Sequence, residues 1–542
     1  MAPLLTVEHL TIEAFDDGRW KPIVNDISLT LERGEVLGLI GESGAGKSTI
    51  GLAAMGYTRP GCRLVSGSIV FDGIEVTGLS EQARRQLRGT RIAYVAQSAA
   101  ASFNPAHQLI KQFAEAPVQH GLMSFSEAEK RAVELYRQLE LPEPERIGYR
   151  YPHQVSGGQL QRAMVAMALA GRPDLIVFDE PTTALDVTTQ IEVLAAIKHV
   201  IEQLNTAAIY ISHDLAVVAQ VADRMMVLRY GNLIEEGPTR ELLERAEQDY
   251  TRRLLSVRTL RGEKEQAGRY TDVVLEVERV SACYRKGVKV IDDVSLRIRR
   301  GRTVAVVGES GSGKTTLARV ITGLLPALEG RIVFAGEEMP SHLRLRNRES
   351  LRRLQMIYQM PDTALNPRQK VRKILGRPLE FYFGIKGSQK EERIGELLDM
   401  VELSEKYIDR YPPELSGGEK QRLCLARALA ANPDLIICDE VTSALDALVA
   451  EEVLKLLQRL QDELGVSYLF ITHDLATVKA IADEMVVMLR GRIVEQGSKR
   501  EVLTPPHHEY TGLLLSSVPE MDPDWLDSLL EAREARREPI SP

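Results

Sequence analysis

At 542 residues the chain has room for two large domains, or three to four ordinary ones of about 100–200 residues each. A hydrophobic share of 44% and a charged share of 27% are those of a globular protein with more than one core. They exclude a disordered, collagen-like or disulfide-stapled chain. The 68 lysines and arginines against 76 aspartates and glutamates leave a formal charge of −8, not the strong basic excess of a general nucleic-acid binder.

In chain order, residues 5–12 alternate in the manner of a half-buried strand. An apolar strand at 36–40 then runs into GESGAGKST at 41–49, and a helix is predicted over 48–55. A second apolar strand at 175–178 ends in Asp179 and Glu180, and a third at 208–212 ends at His213. A polar, charged stretch over 256–271 reads as a linker. The order then repeats. Alternation returns at 273–280, and an apolar strand at 304–307 precedes GESGSGKTT at 308–316, with a helix predicted over 315–325. Apolar strands at 435–438 and 468–472 lead into Asp439, Glu440 and His473.

YPHQVSGGQLQR at 151–162 recurs as YPPELSGGEKQR at 411–422, and Tyr250-Thr251 recurs as Tyr510-Thr511. Matched blocks in the same order are a duplication, because the period far exceeds the 20–50 residues of a solenoid repeat. The boundaries predicted are residues 1–257, a linker at 258–271, residues 272–517 and a tail at 518–542. Trp525, Leu526, Leu529 and Leu530 set an apolar stripe on a tail helix, for which packing on its own domain is the simpler reading and docking or regulation the alternative. The four cysteines lie far apart without metal-ligand spacing and are expected to be buried reduced thiols. No apolar stretch reaches the roughly 20 residues of a membrane span, and residues 1–15 lack the pattern of a signal peptide. A cytosolic location is expected.

The pattern GxxxxGK[ST] places backbone N–H groups around a phosphate at a helix N-terminus, where the helix dipole favours an anion. The candidate nucleotide contacts are Gly41, Glu42, Ser43, Gly44, Ala45, Gly46, Lys47, Ser48 and Thr49 in the first copy. In the second they are Gly308, Glu309, Ser310, Gly311, Ser312, Gly313, Lys314, Thr315 and Thr316. Lys47 and Lys314 are expected at the β/γ-phosphates, and Ser48 and Thr315 at magnesium. Asp179 and Asp439 would complete the magnesium shell, while Glu180 and Glu440 would polarise the attacking water. Acidic residues at a strand end are common by themselves, and a lone histidine there is usually structural. Repetition of His213 and His473 at the same 33-residue offset from each glutamate points to a γ-phosphate contact.

These residues resemble the ATPase subunits of ABC transporters in a fused two-domain form, over nearly the whole chain. The diagnostic piece is the signature, VSGGQ at 155–159 and LSGGE at 415–419. The resemblance implies two tandem ABC-type P-loop ATPase domains of α/β class. Each has a mainly parallel sheet core, a helical subdomain and an antiparallel β subdomain. It further implies that Ser156, Gly157 and Gly158 cover the ATP held by Lys314, and Ser416, Gly417 and Gly418 the ATP held by Lys47, in a head-to-tail pairing. Gln97 and Gln359 match the glutamines near magnesium, and Asp186 and Asp446 the loop after the catalytic carboxylates. Tyr284 matches the adenine-stacking aromatic; in the first half Phe15 fits best, with Trp20 as its rival.

The continuations QSAAASFNP (97–105) and QMPDTALNP (359–367), with the closures QDYTRRLLS and HEYTGLLLSS, look like the importer branch for di- and oligopeptides, nickel chelates, opines and glutathione. That resemblance implies ATP and Mg2+, two integral-membrane permease subunits, an extracytoplasmic substrate-binding protein, no nucleic acid, and a place at the cytoplasmic face of the inner membrane. Val441 stands where the first half has Pro181, without removing a ligand. No cysteine follows Cys438, so no iron–sulfur cluster is expected. The alternatives are a soluble twin-ATPase acting on ribosomes or nucleic acid, against which the short linker speaks, and an accessory ATPase of a metabolic complex.

Overall fold

The computed structural model describes residues 2–16, 18–183, 185–256, 272–285, 287–443 and 445–537. The predicted linker at 258–271 lies outside the described residues. The chain divides into two compact units, one of Met1–Ser256 with Pro519–Pro542 and one of Val257–Val518.

The first unit begins with strands β1 (Leu5–Asp16), β2 (Arg19–Leu31) and β3 (Val36–Gly41). β4 (Cys62–Phe71), β5 (Ile74–Glu75) and β6 (Ile92–Val95) precede a helical stretch. β7 (Leu175–Asp179), β8 (Ala207–Ile211), β9 (Arg224–Arg229) and β10 (Asn232–Pro238) follow it. The ten make two sheets, an antiparallel one in the order β2-β1-β4-β5 and a six-stranded one in the order β10-β9-β3-β8-β7-β6. Within the larger sheet only β10 runs antiparallel to its neighbour. All residues of β3, β7 and β8 are buried, which explains why they read as unbroken apolar runs rather than alternation. One continuous core joins Leu5, Leu10 and Ile12 of β1 to Leu37 of β3, Ile50 of the helix Lys47–Ala54, and Ile209 of β8.

The second unit repeats this plan. Its strands are β11 (Val273–Ala282), β12 (Ile291–Arg299), β13 (Thr303–Val307), β14 (Glu329–Phe334) and β15 (Glu337–Glu338). After them come β16 (Leu354–Ile357), β17 (Leu435–Asp439), β18 (Ser467–Ile471), β19 (Glu484–Leu489) and β20 (Arg492–Ser498). The sheet orders are β12-β11-β14-β15 and β16-β17-β18-β13-β19-β20. Between β6 and β7, and again between β16 and β17, the chain is helical, ending in Gly157–Leu169 and Gly417–Leu429. Among the described residues no helix is long and apolar enough to cross a membrane.

Three expectations need correction. The helix predicted to reach residue 325 spans Lys314–Ile321, because Thr322 Oγ1 bonds back to Ala318 O (2.9 Å) and Gly323 adopts a left-handed φ of 76°. Cys424 and Cys438 are buried, but Cys62 and Cys283 are half-buried, since their strand ends meet solvent. The tail helix Trp525–Arg537 exists, yet it belongs to the first unit rather than to the domain it follows. The reason is a buried amide. Gln220 donates to Glu520 O (2.8 Å) and Asp522 O (3.0 Å) and accepts from Leu526 N–H (3.0 Å). Leu526 is fully buried, and Lys198 and Arg240 pair with Asp527 (2.7 Å) and Asp524 (2.5 Å). The second half has Gln458 and Ala480 at the positions of Lys198 and Gln220, so it lacks the same receptor.

Candidate functional site

Four adjacent parallel strands deliver the candidate residues along one edge of each large sheet. Reading across from β3 to β6, the strand ends carry the glycine loop, His213, Asp179 with Glu180, and Gln97. In the second unit β13, β18, β17 and β16 carry the loop, His473, Asp439 with Glu440, and Gln359. Carboxyl ends of parallel strands are where open α/β sheets bind ligands.

The loop geometry follows from its glycines. Gly41 and Gly308 sit at φ 149°, where an added Cβ would lie 2.1 Å from Leu228 O and 2.2 Å from Met488 O, so no side chain fits. Lys47 and Lys314 open their helices and are buried. Lys47 Nζ donates to Gly41 O (2.7 Å) and Glu42 O (2.9 Å), and Lys314 Nζ to Gly308 O (2.7 Å) and Glu309 O (2.8 Å). Ser48 Oγ donates to Asp179 Oδ1 (2.8 Å), and Thr315 Oγ1 to Asp439 Oδ1 (3.1 Å). The hydroxyl and the carboxylate expected to share magnesium are thus already neighbours in both units. That oxygen donor set suits a hard cation that keeps most of its other ligands from water or phosphate.

Glu180 and Glu440 each take a left-handed φ of 50°. Gln97 Nε2 donates to Glu180 Oε2 (2.9 Å), and Gln359 Nε2 to Glu440 Oε2 (2.5 Å). Both glutamines therefore meet the glutamate rather than the hydroxyl–aspartate pair, and each keeps its amide oxygen for another partner. His213 Nδ1 lies 3.2 Å from Glu180 Oε1, and His473 Nδ1 3.4 Å from Glu440 Oε1. Burial opposes the charge on both glutamates, but the histidine hydrogen bond and charge outweigh it and hold both carboxyls below their usual range. Burial likewise opposes charge on the histidines, and the glutamates lift both above their usual value. A carboxylate kept ionised beside an imidazole can accept a hydrogen bond from water and orient it.

Each signature begins with a capping box. Ser156 Oγ accepts from Gln159 N–H (3.3 Å) and Ser156 N–H donates to Gln159 Oε1 (3.1 Å); Ser416 and Glu419 repeat this at 3.4 and 2.7 Å. Asp186 and Asp446 cap the helices Val187–Leu204 and Ala447–Leu464. Phe15 and Trp20, the two candidates for the first adenine platform, face each other across the β1–β2 hairpin with ring centres 5.3 Å apart. Tyr284 is half-exposed and its hydroxyl accepts from Arg319 Nη1 (3.0 Å).

Sequence reasoning missed two groups around the first site. Tyr94 Oη donates to Asp179 Oδ2 (2.6 Å), and burial together with that carboxylate pushes its phenol well up. Thr183 Oγ1 donates to Glu180 Oε2 (3.0 Å). The signal for Tyr94 was its place three residues before Gln97 on an otherwise aliphatic strand. The second unit has Met356 at the matching place, so the two sites differ there.

Comparison with known proteins bears on this geometry. The family model described as ABC transporter matches residues 24–183 and 291–443, and that of the oligopeptide/dipeptide transporter C-terminal region matches 494–541. The chain is 37% identical over 530 residues to the peptidoglycan transport ATP-binding protein YejF of Agrobacterium fabrum, covering 95% of this chain and 96% of that one. It is 37% identical over 562 residues to the glutathione import ATP-binding protein GsiA of Salmonella typhimurium, covering 96% and 90%. Among solved structures, cbiO1 of Clostridium perfringens, part of the cbiONQ ABC transporter complex, matches at 28% identity and a TM-score of 0.39, covering 43% of this chain and 90% of that one.

Proposed function

This chain belongs to the ABC transporter family, as an ATP-binding protein with two ATPase domains fused, and from that premise we propose that it energises uptake of peptides or related small solutes. The observation that carries the reading is the twofold meeting of loop lysine, hydroxyl–aspartate pair and glutamate–histidine pair at one sheet edge. Relatives whose names concern peptidoglycan transport and glutathione import support a peptide-like cargo. Nothing in them favours the ribosomal or nucleic-acid alternative.

In this reading ATP lies in the loops of residues 41–49 and 308–316, with Phe15 or Trp20 and Tyr284 under the adenine. Backbone N–H groups and the buried lysines take its phosphates. Ser48, Asp179 and Gln97, and Thr315, Asp439 and Gln359, would hold a magnesium ion, which supplies charge neutralisation at the phosphate oxygens. Glu180 and Glu440 orient and polarise water, and His213 and His473 hold those carboxylates in place and reach the γ-phosphate. Ser156 and Ser416, at helix N-termini rich in free N–H groups, cover the phosphate bound by the opposite domain. ATP would draw the halves together and hydrolysis would let them reopen. The partners would be two separate integral-membrane permease subunits and an extracytoplasmic binding protein, with this chain peripheral at the cytoplasmic face of the inner membrane.

The test is the chain carrying Glu180→Gln with Glu440→Gln. It should bind two ATP molecules, lose turnover by at least about 100-fold, and become more compact in solution on adding ATP. Hydrolysis near the parental rate would sink the assigned roles of both glutamates.

A further inference from the structure

The repeated Tyr-Thr pair at 250–251 and 510–511 has no role in the site described above, yet in the second unit its tyrosine touches the phosphate loop. Tyr510 lies on the helix Glu509–Ser516, buried among Ala305 and Val307 of β13 and Val487 of β19. Its phenol oxygen accepts a hydrogen bond from Glu309 N–H at 2.8 Å. That N–H shares a peptide unit with Gly308 C=O, and the unit is trans. In a trans peptide the two groups point opposite ways, and Gly308 C=O accepts from Lys314 Nζ at 2.7 Å. One peptide plane is therefore gripped on both sides, by a buried phenol and by the loop lysine.

We propose that Tyr510 is a positioning residue for ATP binding at the second site, fixing the Gly308–Glu309 peptide and through it the resting place of Lys314. Tilting this peptide moves the carbonyl that aligns the ammonium, so the phenol presets the loop before phosphate arrives. A preset loop spends less of its binding energy on ordering. At the first site the contact is looser: the buried Tyr250 hydroxyl lies against the Glu42 backbone N–H and side chain, without a well-formed hydrogen bond to either. The two tyrosines thus form a matched pair within one chain, the same residue against the same loop peptide with a well-formed bond in one unit and a loose one in the other.

This inference rests on the reading that the Lys314 loop holds ATP, and the experiment separates the two. In the full chain carrying Lys47→Ala, which disables the first loop, ATP affinity is measured with and without Tyr510→Phe. Removing the oxygen and keeping the ring should weaken ATP binding about 5-fold, in the range of one net hydrogen bond, with little change in melting temperature. In the reciprocal Lys314→Ala chain, Tyr250→Phe should leave ATP affinity within about 2-fold. In the native, nucleotide-free chain the Glu309 amide should exchange with deuterium more slowly than that of Glu42. Unchanged affinity in Tyr510→Phe, an equal loss in Tyr250→Phe, or equal exchange at the two amides each overturns the inference. A Lys47→Ala chain that binds no ATP overturns the site reading instead, and amide exchange then still decides the tyrosine contact.

Discussion

Replacing Gly158 with alanine would place a methyl group 2.1 Å from Thr189 Cγ2, where ordinary carbon contacts need about 3.5–4.0 Å. Thr189 is β-branched and lies on the helix Val187–Leu204, so its stiff side chain yields little. The overlap has to be relieved by forcing Thr189 into its other rotamer or by moving the signature helix Gly157–Leu169 away from that neighbour. Overpacking of this kind costs about 1–3 kcal/mol, which for a unit of this size lowers the melting temperature by roughly 2–12 °C. Gly157 differs, since an added Cβ there meets only Leu185 Cδ2 at 3.9 Å, an ordinary contact. Gly157→Ala should melt at the parental temperature or slightly above it, because alanine is the better helix former. Both variants should lose ATP turnover. Gly158→Ala shifts the helix start, whereas Gly157→Ala crowds the turn that, in the proposed pairing, approaches a phosphate closely. Differential scanning fluorimetry with a phosphate-release assay reads both quantities on one sample. Parental melting in Gly158→Ala would refute the packing argument, and full turnover in Gly157→Ala would refute the ligand argument. Gly418, 2.5 Å from Val449 Cγ1 by the same construction, should repeat the result for Gly158 in the second unit.

Two more outcomes are expected from the fold. Leu526→Ala should destabilise the first unit by about 2–4 kcal/mol, as for other fully buried leucines, and open the tail to proteases; unchanged protease resistance would show that the tail is not seated on Gln220. Burial raises the Cys424 thiol to about 11 and pushes Cys438 up as well. Because the thiolate is the reactive form, at pH 8 only about one Cys424 in a thousand is ionised, and its alkylation should rise about 10-fold per pH unit between pH 7 and 9. An alkylating reagent should label half-buried Cys62 and Cys283 while sparing Cys424 and Cys438. Cys424 reacting as fast as Cys62 at pH 8 would contradict the burial.

Much of each site was legible in the residue order because the chemistry sits at the ends of buried strands. β3, β7 and β8 are buried throughout and read as apolar runs up to the site residues, so the polar residues at their ends stand out, and duplication shows which of those recur. What was not legible depends on contacts between distant residues. Nothing near Gln220 in sequence says that its amide will bind backbone 300 residues away, and so the stripe at 525–530 read as packing on its own domain. Tyr94 looked like one more strand residue until β6 and β7 paired and brought it to Asp179. The early end of the helix at Ile321 was written in Thr322 and Gly323, a back-bonding residue followed by a left-handed turn. Tyr510 was noticed as a repeat, but its meaning required the path that returns the helix Glu509–Ser516 to the phosphate loop.

The central claim is that this chain powers a membrane importer, and its most direct test is the company the chain keeps. The tagged protein should be purified from detergent-solubilised native membranes with ATP present, and its partners identified by mass spectrometry. The account predicts two multi-span permease subunits in stoichiometric amounts, with an extracytoplasmic binding protein alongside them. Recovery of ribosomal proteins or nucleic acid without membrane subunits would contradict it, leaving two ATPase sites in search of another task.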